Sequence, residues 1–380
     1  MNDPGDRLRV LVVGMRPPRL PIRDGYVLHL YHLLKQLHRH HDVRFLAPDD
    51  ENGLFKDIDG LNCSLVAGGR RKLERETLDQ IGRFKPQVVH VVGAPLAGIL
   101  RRLPRPMSSI LGALDAPHLN VDAVEARTAA GLISKRVKRA RAIWAIRHSY
   151  RQADRVVVVS AEDREALEHQ NARLSVSVIP NGVDVDDFGS RRDVARQRDH
   201  LLFTGALDYP PNVSAALFLV NEVLPRIRAV QPSARVSLVG RDPSDEIRSL
   251  DGRPGVDVVG PVDVMVDALA VGSVYVCPMI SGTGIKNKLL EALANGLPCV
   301  ASELAVRGTS LADGIEVLIA NTADEVAEAT LRLLSDAGLR ERIGSAGQDY
   351  VTRNHAWSSI GELYSDLYRA VLTPGGGEPR

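Results

Sequence analysis

The segment Pro278–Ser302 concentrates residue types that bind anions and hydroxyl groups. A Gly-Thr-Gly loop at 282–284 follows an apolar run and leads into a helical pattern. Small residues let the backbone approach a ligand, and the free N–H groups at a helix start favour anions. Lys286 and Lys288 add positive charge there, and Glu291 follows one turn later, where a carboxylate can accept hydrogen bonds from sugar hydroxyls. The alternative is a helix start with solvated lysines, which the lysine pair together with Glu291 disfavours.

Apolar runs in the first half of the chain have the composition of buried parallel strands. They are Arg9–Gly14, Val43–Ala47, Gln87–Val92, Ser108–Leu114 and Arg155–Ser160. Helical patterns alternate with them, and the clearest is Tyr26–His38, which has leucines along one face. This alternation predicts an α/β domain with a doubly wound parallel sheet.

The pattern restarts near His200, which predicts a second doubly wound domain. Its strands and helices are expected at Leu201–Gly205, Asn212–Val230, Val236–Gly240, Val256–Val259, Val274–Cys277, Lys286–Asn295, Pro298–Ala301, Ala323–Ser335 and Leu339–Thr352. We place the N-terminal domain at 1–184 and the C-terminal domain at 185–357. A helix at 358–372 should pack back toward the N-terminal domain, and the tail 373–380 should be disordered. Two such domains facing each other leave a cleft at the carboxyl ends of both sheets, where ligands bind.

Composition excludes several classes of protein. The chain has 380 residues, 44% of them hydrophobic, which is enough for two packed cores. Only 4% are aromatic and the net charge is +1, which argues against a nucleic-acid partner. The three cysteines form no metal or disulfide pattern, which indicates a reducing cytoplasm. No apolar run reaches the roughly 20 residues that span a membrane, and the N-terminus lacks a signal-peptide profile.

The near-neutral total hides two opposed halves. Residues 1–184 carry 29 basic and 21 acidic residues, whereas residues 185–380 carry 19 and 26. Lys135–Arg151 contains seven basic residues and no acidic one, with apolar residues such as Trp144 interleaved. This composition suits a helix on anionic lipid, an anionic acceptor, or a solvated helix with a buried stripe. We therefore expect peripheral membrane contact through 135–151, at the inner face of the cell membrane, or an anionic acceptor.

With these elements in place, the chain resembles the retaining glycosyltransferases of family 4, which have the GT-B fold. The resemblance covers nearly the whole chain and rests on the order and spacing of short segments. They are ADRVVVVSAEDREAL (153–167), VIPNGVDVDDF (178–188), LLFTGALDYPPN (201–212), VSLVGRDPSDEIRSL (236–250), the Gly-Thr-Gly segment and SAGQDYVTRNHAWS (345–358). Thr-Gly-Ala, Tyr-Pro-Pro-Asn and Gly-Ile-Lys-Asn-Lys are similar to a subgroup found in exopolysaccharide gene clusters. The resemblance implies transfer of a sugar from a nucleotide diphospho-sugar to an acceptor hydroxyl in polysaccharide or glycoconjugate synthesis.

The chain departs from the family pattern at the donor site. Glu291 matches the second of the family's two glutamates, which holds the nucleotide ribose. The first falls on Thr283, which can bind a sugar hydroxyl but brings no charge. The family's diphosphate-binding Arg and Lys are missing after Gly205. The resemblance therefore implies that Arg241 and one of the two lysines of the Gly-Thr-Gly segment neutralise the diphosphate.

The resemblance also implies roles for residues outside that segment. Asp115 or His118, after the strand ending near 114, would contact the reacting sugar; Asp115 has the better position and His118 the better chemistry. The residues implied in catalysis are Asp115, His118, Arg241 and Lys288. The implied donor contacts are Gly25, Gly205, Arg241, Val262, Thr283, Gly284, Ile285, Lys286, Lys288 and Glu291.

The resemblance implies a hexosyl transfer with retention at the anomeric carbon, without a cofactor or metal. Asp57-Ile58-Asp59 superficially matches the metal-binding Asp-x-Asp of the other glycosyltransferase fold, but we interpret it as a loop because it does not end a strand of the nucleotide domain. Two other functions compete with this one, a GT-B-fold nucleotide-sugar epimerase and a non-catalytic nucleotide-sugar-binding protein. An NAD enzyme is disfavoured because no G-x-G-x-x-G follows the first strand.

Overall fold

The chain divides into two compact units in a computed structural model. The N-terminal unit comprises Met1–Gly182 and Trp357–Arg380, and the C-terminal unit comprises Val183–Ala356. The structure describes residues 7–20, 25–49, 54–55, 58–123, 129–190, 194–282 and 284–373. The predictions for Thr283, for Asp57 and for the tail 374–380 therefore lie outside the described residues.

Strands and helices alternate along the N-terminal unit. They are β1 (Arg9–Gly14), β2 (Arg19–Leu20), α1 (Gly25–His40), β3 (Asp42–Asp49), β4 (Leu54–Phe55), β5 (Asn62–Ala67), α2 (Arg70–Phe84), β6 (Val88–Val92), a 3-10 segment (Ala94–Arg102), β7 (Ser108–Leu114), α3 (Pro117–Ala123), α4 (Ala129–His148), a 3-10 turn (Tyr150–Gln152), β8 (Arg155–Val158), α5 (Ala161–Gln170) and β9 (Val176–Val178). A parallel sheet has the strand order β5-β3-β1-β6-β7-β8-β9, and β2 pairs with β4 in antiparallel fashion.

Both faces of this sheet are buried. Along β1, Leu11 and Val13 belong to one apolar cluster, and Val10 and Val12 belong to the other. Successive side chains of a strand point to opposite faces, so a strand covered on both sides must be apolar throughout. This is why β1, β6 and β7, in the middle of the sheet, appear in the sequence as largely apolar runs.

The C-terminal unit repeats the α/β alternation. Its elements are α6 (Val185–Phe188), β10 (His200–Thr204), α7 (Pro210–Phe218), a π-helical segment (Leu219–Val223), α8 (Leu224–Val230), β11 (Arg235–Val239), α9 (Asp245–Arg248), β12 (Val256–Gly260), α10 (Met265–Ala270), β13 (Val274–Cys277), α11 (Asn287–Ala294), β14 (Cys299–Ala301), α12 (Glu303–Val306), β15 (Leu318–Ile319), α13 (Ala323–Ser335) and α14 (Ala337–His355). The parallel sheet has the order β12-β11-β10-β13-β14-β15. The first strand along the chain, β10, lies inside the sheet. β11 and β12 follow on one side of it and β13 to β15 on the other, as in a dinucleotide-binding fold.

Helix α15 (Trp357–Leu372) returns to the N-terminal unit and packs against α1. A Cβ on Gly361 would lie 2.7 Å from the Cβ of Gln36, so glycine permits the close approach of the two helices. Polar groups also hold α15: Tyr368 OH lies 2.8 Å from Nδ1 of His90 on β6, and Ser365 Oγ lies 2.9 Å from Nε2 of His41.

The structure differs from the sequence predictions at several elements. The helix predicted at Asn212–Val230 is interrupted by the π-helical segment, because Pro225 lacks the N–H that would continue the regular pattern. The basic helix α4 ends at His148, and its expected last residues form the 3-10 turn. No helix of the described residues has the length and apolar character required to cross a bilayer.

Candidate active site

The strand order of the C-terminal sheet reverses at β10, which lies between β11 and β13. Ligands of open parallel sheets bind at the carboxyl ends of the strands beside such a reversal. Gly205 follows β10 there with φ of +148°, and Gly240 follows β11 with φ of +158°. A Cβ on Gly240 would lie 1.7 Å from the carbonyl oxygen of Gly205. Both positions therefore require glycine, and the floor of the candidate site is backbone.

Lys288 of α11 reaches this floor. Its ammonium donates a hydrogen bond to Oδ1 of Asn212 in α7 and lies 4.6 Å from the centre of the Phe203 ring. A Cβ on Gly205 would lie 2.9 Å from the Lys288 Nζ and 2.7 Å from Asn212 Nδ2. Asn212 Nδ2 in turn donates to the carbonyl oxygen of Ala206, 2.9 Å away. The amide of Asn212 thus holds the lysine and the β10 turn in one arrangement.

The titration of Lys288 and Glu291 is shifted by burial. Burial lowers the pKa of the Lys288 ammonium to about 8 and raises the pKa of the Glu291 carboxyl to about 7, although the nearby lysine opposes the second shift. The two residues are three positions apart on α11, which places them on one face of the helix. An anion bound at Lys288 would stabilise the charged lysine, and hydroxyl donors would stabilise the ionised glutamate.

The loop before α11 is folded around its own lysine. Gly282 has φ of +105° and Gly284 has φ of +70°, both in the region that favours glycine. The buried Lys286 donates from Nζ to the carbonyl oxygen of Gly284 at 2.6 Å. Ile285 is buried beneath the loop, whereas a Cβ on Gly284 would face open space. Lys286 therefore shapes this loop.

Arg241 and Val262 follow the neighbouring strands β11 and β12. The guanidinium of Arg241 forms an ion pair with Asp242 at 2.6 Å, and its side chain is 42% exposed. The Arg241 carbonyl oxygen accepts the N–H of Leu207 at 2.9 Å, which joins the loops after β10 and β11. Val262 lies two residues beyond β12 and is half-buried.

In the N-terminal unit, Asp115 comes directly after β7 and is half-buried, and His118 is buried in α3. The backbone between them is fixed by Asp163 of α5, whose Oδ1 accepts the N–H of Ala116 at 2.9 Å. The segment that joins β7 to α3, between the two candidates, is therefore anchored to α5.

Gly25 begins α1 and is exposed. β2 precedes Gly25 along the chain and pairs with β4 outside the seven-stranded sheet, whereas Asp115 follows β7 of that sheet. The expected site residues of the N-terminal unit therefore follow strands of different sheets.

Two residues that sequence reasoning did not select contribute to these turns. Asn212 was contained in the Tyr-Pro-Pro-Asn segment, and a polar side chain in the first turn after a glycine-ended strand was the signal for it. Asp163 was contained in Ser160-x-x-Asp163, the pattern of a helix cap, and Ser160 does cap α5 by accepting the Asp163 N–H. Both sequence patterns also occur as purely local caps and turns, so they did not identify the long-range contacts.

Family models match both units of the chain. Residues 198–336 match the model described as glycosyl transferases group 1, and residues 23–187 match the model described as glycosyltransferase family 4. The phosphatidyl-myo-inositol mannosyltransferase of Mycobacterium leprae is 32% identical over 206 residues, which are 52% of this chain and 54% of that protein. The protein of that name from Mycobacterium tuberculosis is 32% identical over 210 residues, with 52% and 54% covered. The matches span about half the length of these curated relatives.

Solved structures share the fold of the chain. The sucrose-phosphate synthase of Thermosynechococcus elongatus has a TM-score of 0.72 at 17% identity, covering 96% of this chain and 98% of that one. Anabaena HepE in complex with UDP has a TM-score of 0.70 at 13% identity, covering 96% and 100%. WaaG, a glycosyltransferase involved in lipopolysaccharide biosynthesis, has a TM-score of 0.68 at 14% identity, covering 94% and 99%. The resemblance found in the sequence is confirmed, and the chain belongs to the family 4-like glycosyltransferases with the GT-B fold.

Proposed function

We propose that the chain is a hexosyltransferase that moves a sugar from a nucleotide diphospho-sugar to an acceptor hydroxyl, with retention at the anomeric carbon. The observation that carries this proposal is the position of the Lys288 ammonium, held by Asn212 against the glycine floor at the strand reversal. A half-buried ammonium beside bare backbone suits a phosphate group, because charge-assisted hydrogen bonds to phosphate are strong.

Lys288 would stabilise the departing diphosphate. As the bond between the anomeric carbon and the diphosphate oxygen breaks, negative charge grows on the leaving group. A preorganised cation at that point stabilises the transition state more than the ground state, and loss of one such donor costs about 10²–10³ in kcat. Arg241 would join it by exchanging Asp242 for a phosphate oxygen, since its ion pair is half-exposed and such pairs are weak.

The family resemblance supports the remaining donor contacts. In its ionised form, Glu291 would accept hydrogen bonds from the ribose hydroxyls. Thr283, Gly284 and Ile285 would contact the donor sugar, and Val262 would contact the base. Gly205, and Gly25 in the N-terminal unit, would give backbone access to the diphosphate. The proposed reaction uses neither a cofactor nor a metal.

Asp115 and His118 would serve the reacting sugar and the acceptor from the N-terminal unit. The curated relatives are named phosphatidyl-myo-inositol mannosyltransferases, and HepE was solved with UDP and with UDP-glucose. Hexosyl transfer to a polyol carried by a lipid is therefore the first acceptor chemistry to test. Helix α4 would bring the enzyme to the membrane surface, where such an acceptor is found.

A thermal-shift panel of UDP, GDP, ADP and dTDP sugars tests the donor site. We expect one base to raise the melting temperature, and Glu291→Ala and Lys288→Gln to abolish that shift. Glu328→Ala and Lys72→Gln, which change exposed residues elsewhere, are the matched controls. A shift retained in both site variants would refute the proposed donor site.

Turnover separates the proposed transferase from its competitors. When it is mixed with a lipid extract and the nucleotide sugar that raised the melting temperature, a transferase should release the nucleoside diphosphate and label an acceptor. Because the proposed reaction uses no metal, EDTA should not prevent this. Epimerisation of the sugar nucleotide without an acceptor would favour the epimerase. Tight binding without either reaction would favour a non-catalytic binding protein.

A further inference from the structure

A cavity lies within the N-terminal unit, between the start of α2, the 3-10 segment Ala94–Arg102 and the C-terminal half of α4. Its volume is about 620 Å³. Of the residues that the structure describes, none assigned above to sugar transfer lines it. The cavity is large enough for a phosphate group together with a small polyol.

The lining of the cavity is strongly cationic. It contains Arg70, Arg101, Arg102 and one acidic residue, Glu74, so its formal charge is +2. Glu74 pairs with Arg70 at 3.1 Å and with Arg102 at 3.0 Å, and its own side chain is only 13% exposed. The Arg101 side chain forms no hydrogen bond or ion pair with the described part of the chain. Glu74 therefore pairs with two guanidinium groups, whose side chains remain 51% and 66% exposed, and the charge of Arg101 has no counterion there.

The walls of the cavity are shaped for these groups. A Cβ on Gly98 would lie 2.0 Å from Nη2 of Arg70, so the guanidinium occupies the space that a side chain would fill. Trp144 of α4 lies on another wall of the cavity and is 52% exposed. Its indole stacks on the imidazole of His148, with 4.9 Å between the ring centres. The cavity thus combines a fixed arginine cluster with an aromatic face.

We propose that this cavity binds a phosphate ester, with the phosphate on the arginines and the organic part against Trp144. The planar guanidinium matches the oxygens of a phosphate, and two net positive charges match the charge of a phosphate monoester. Glu74 fixes Arg70 and Arg102 but leaves Arg101 for the ligand. The inference does not rest on sugar transfer, because binding alone tests it.

Trp144 reports on the cavity directly. The chain has two tryptophans, and Trp357 is 5% exposed, so acrylamide quenches the fluorescence of Trp144 selectively. We would titrate the full chain with glycerol 3-phosphate, with inorganic phosphate, and with phosphatidylcholine vesicles with or without about one-third phosphatidylglycerol. Protection by the soluble phosphates alone identifies a free phosphate compound, and protection by the anionic vesicles alone identifies a lipid headgroup. Protection by both shows that the phosphate group suffices.

Variants link the protection to the cavity. The double variant Arg101→Gln/Arg102→Gln should lower the affinity of the protecting ligand about tenfold, the value expected for lost charged hydrogen bonds. Gly98→Ala should also lower this affinity, because it displaces Arg70 while all charges remain. Arg105→Gln, an exposed arginine nearby, and Lys288→Gln, at the proposed donor site, should leave it unchanged. The proposal is overturned if no ligand protects Trp144, or if protection is equal in the cavity variants and the controls.

Discussion

The ammonium of Lys288 and the side-chain amide of Asn212 are hydrogen-bonded across 76 residues of sequence. The amide oxygen accepts from the lysine while the amide nitrogen donates to the carbonyl oxygen of Ala206. Asn212 therefore determines where the charge of Lys288 lies relative to the β10 turn.

Asn212→Ala should lower kcat/KM for the donor by about 10- to 100-fold, since a hydrogen bond to a charged group contributes about 1.5–3 kcal/mol. Steady-state kinetics with the nucleotide sugar found in the thermal-shift panel would measure this. Asn354→Ala, which removes an exposed amide in α14, should change kcat/KM by less than about twofold. An unchanged kcat/KM in a folded Asn212→Ala variant would remove Asn212 from the donor site.

Donor affinity should be highest between about pH 7 and pH 8. Below the Glu291 pKa of about 7 the carboxylate becomes protonated, and above the Lys288 pKa of about 8 the ammonium becomes neutral. One pH unit beyond either value should weaken binding roughly tenfold. Calorimetric titration at pH 6, 7.5 and 9 would test this. Lys288→Arg should remove the alkaline decrease and Glu291→Gln the acidic one; identical profiles in both variants would contradict the assignment.

The N-terminal unit should lose stability in mild acid. Burial lowers the pKa of His29 to about 4 and that of His90 to about 3, both below the 6.5 of an unfolded histidine. Between these values and 6.5 the unfolded chain binds protons that the folded chain does not, so the free energy of unfolding falls as pH decreases. Each of the two histidines should lower the free energy of unfolding at pH 5 by about 2 kcal/mol relative to neutral pH.

Urea unfolding at pH 7.5 and pH 5 measures this loss. His90→Leu should remove about 2 kcal/mol of the difference between the two pH values, whatever it does to stability at pH 7.5. His169→Gln, at an exposed position of α5, should leave the difference unchanged. A pH dependence that is equal in His90→Leu and in the unmodified chain would show that the histidine titrates normally.

Two glycine substitutions should change the free energy of unfolding in opposite directions. Gly361→Ala places a Cβ 2.7 Å from that of Gln36 and should lower the free energy of unfolding by about 1–3 kcal/mol. Gly82→Ala, in the last turn of α2 where a Cβ meets nothing within 4 Å, should raise it by up to about 1 kcal/mol. Equal effects of the two changes on the urea midpoint would mean that α15 does not pack tightly on α1.

Anionic vesicles should bind helix α4. Replacement of Lys135, Arg136, Lys138 and Arg139 by Gln should sharply reduce sedimentation with phosphatidylglycerol vesicles, because each basic residue near the surface contributes about 1 kcal/mol. The control for total charge replaces four exposed arginines of the C-terminal unit by Gln, namely Arg248, Arg253, Arg307 and Arg342. Unchanged sedimentation of the α4 variant, or none by the unmodified chain, would exclude membrane contact through this helix.

The sequence predicted best the elements whose composition alone determines their environment. β1, β6 and β10 are buried on both faces and therefore appear as continuous apolar runs. β5 (NCSLVA) is largely half-buried or exposed, and β15 has only two residues. Neither strand therefore shows a clear pattern of apolar residues in the sequence. The π-helical segment before Pro225 depends on backbone hydrogen bonds that an apolar pattern does not report.

The candidate site was predictable where one segment contains the chemistry. Lys288 and Glu291 were selected because the Gly-Thr-Gly loop, the lysines and the glutamate are close in sequence. The same reasoning did not distinguish Lys286, which turns back to Gly284, from Lys288, which reaches the β10 turn. Asn212 was not selected because its contact with Lys288 is created by the packing of α7 and α11, which are distant in sequence.

Helix α15 has a consequence for the order in which this chain can fold during synthesis. The residues of the C-terminal unit are inserted between α15 and the rest of the N-terminal unit. A ribosome must therefore make all of Val183–Ala356 before Tyr368 can reach His90. The insert can reach its native state as it emerges, whereas the part of α1 that packs on α15 stays uncovered until translation is nearly complete. The segment made first is thus the one that completes its folding last.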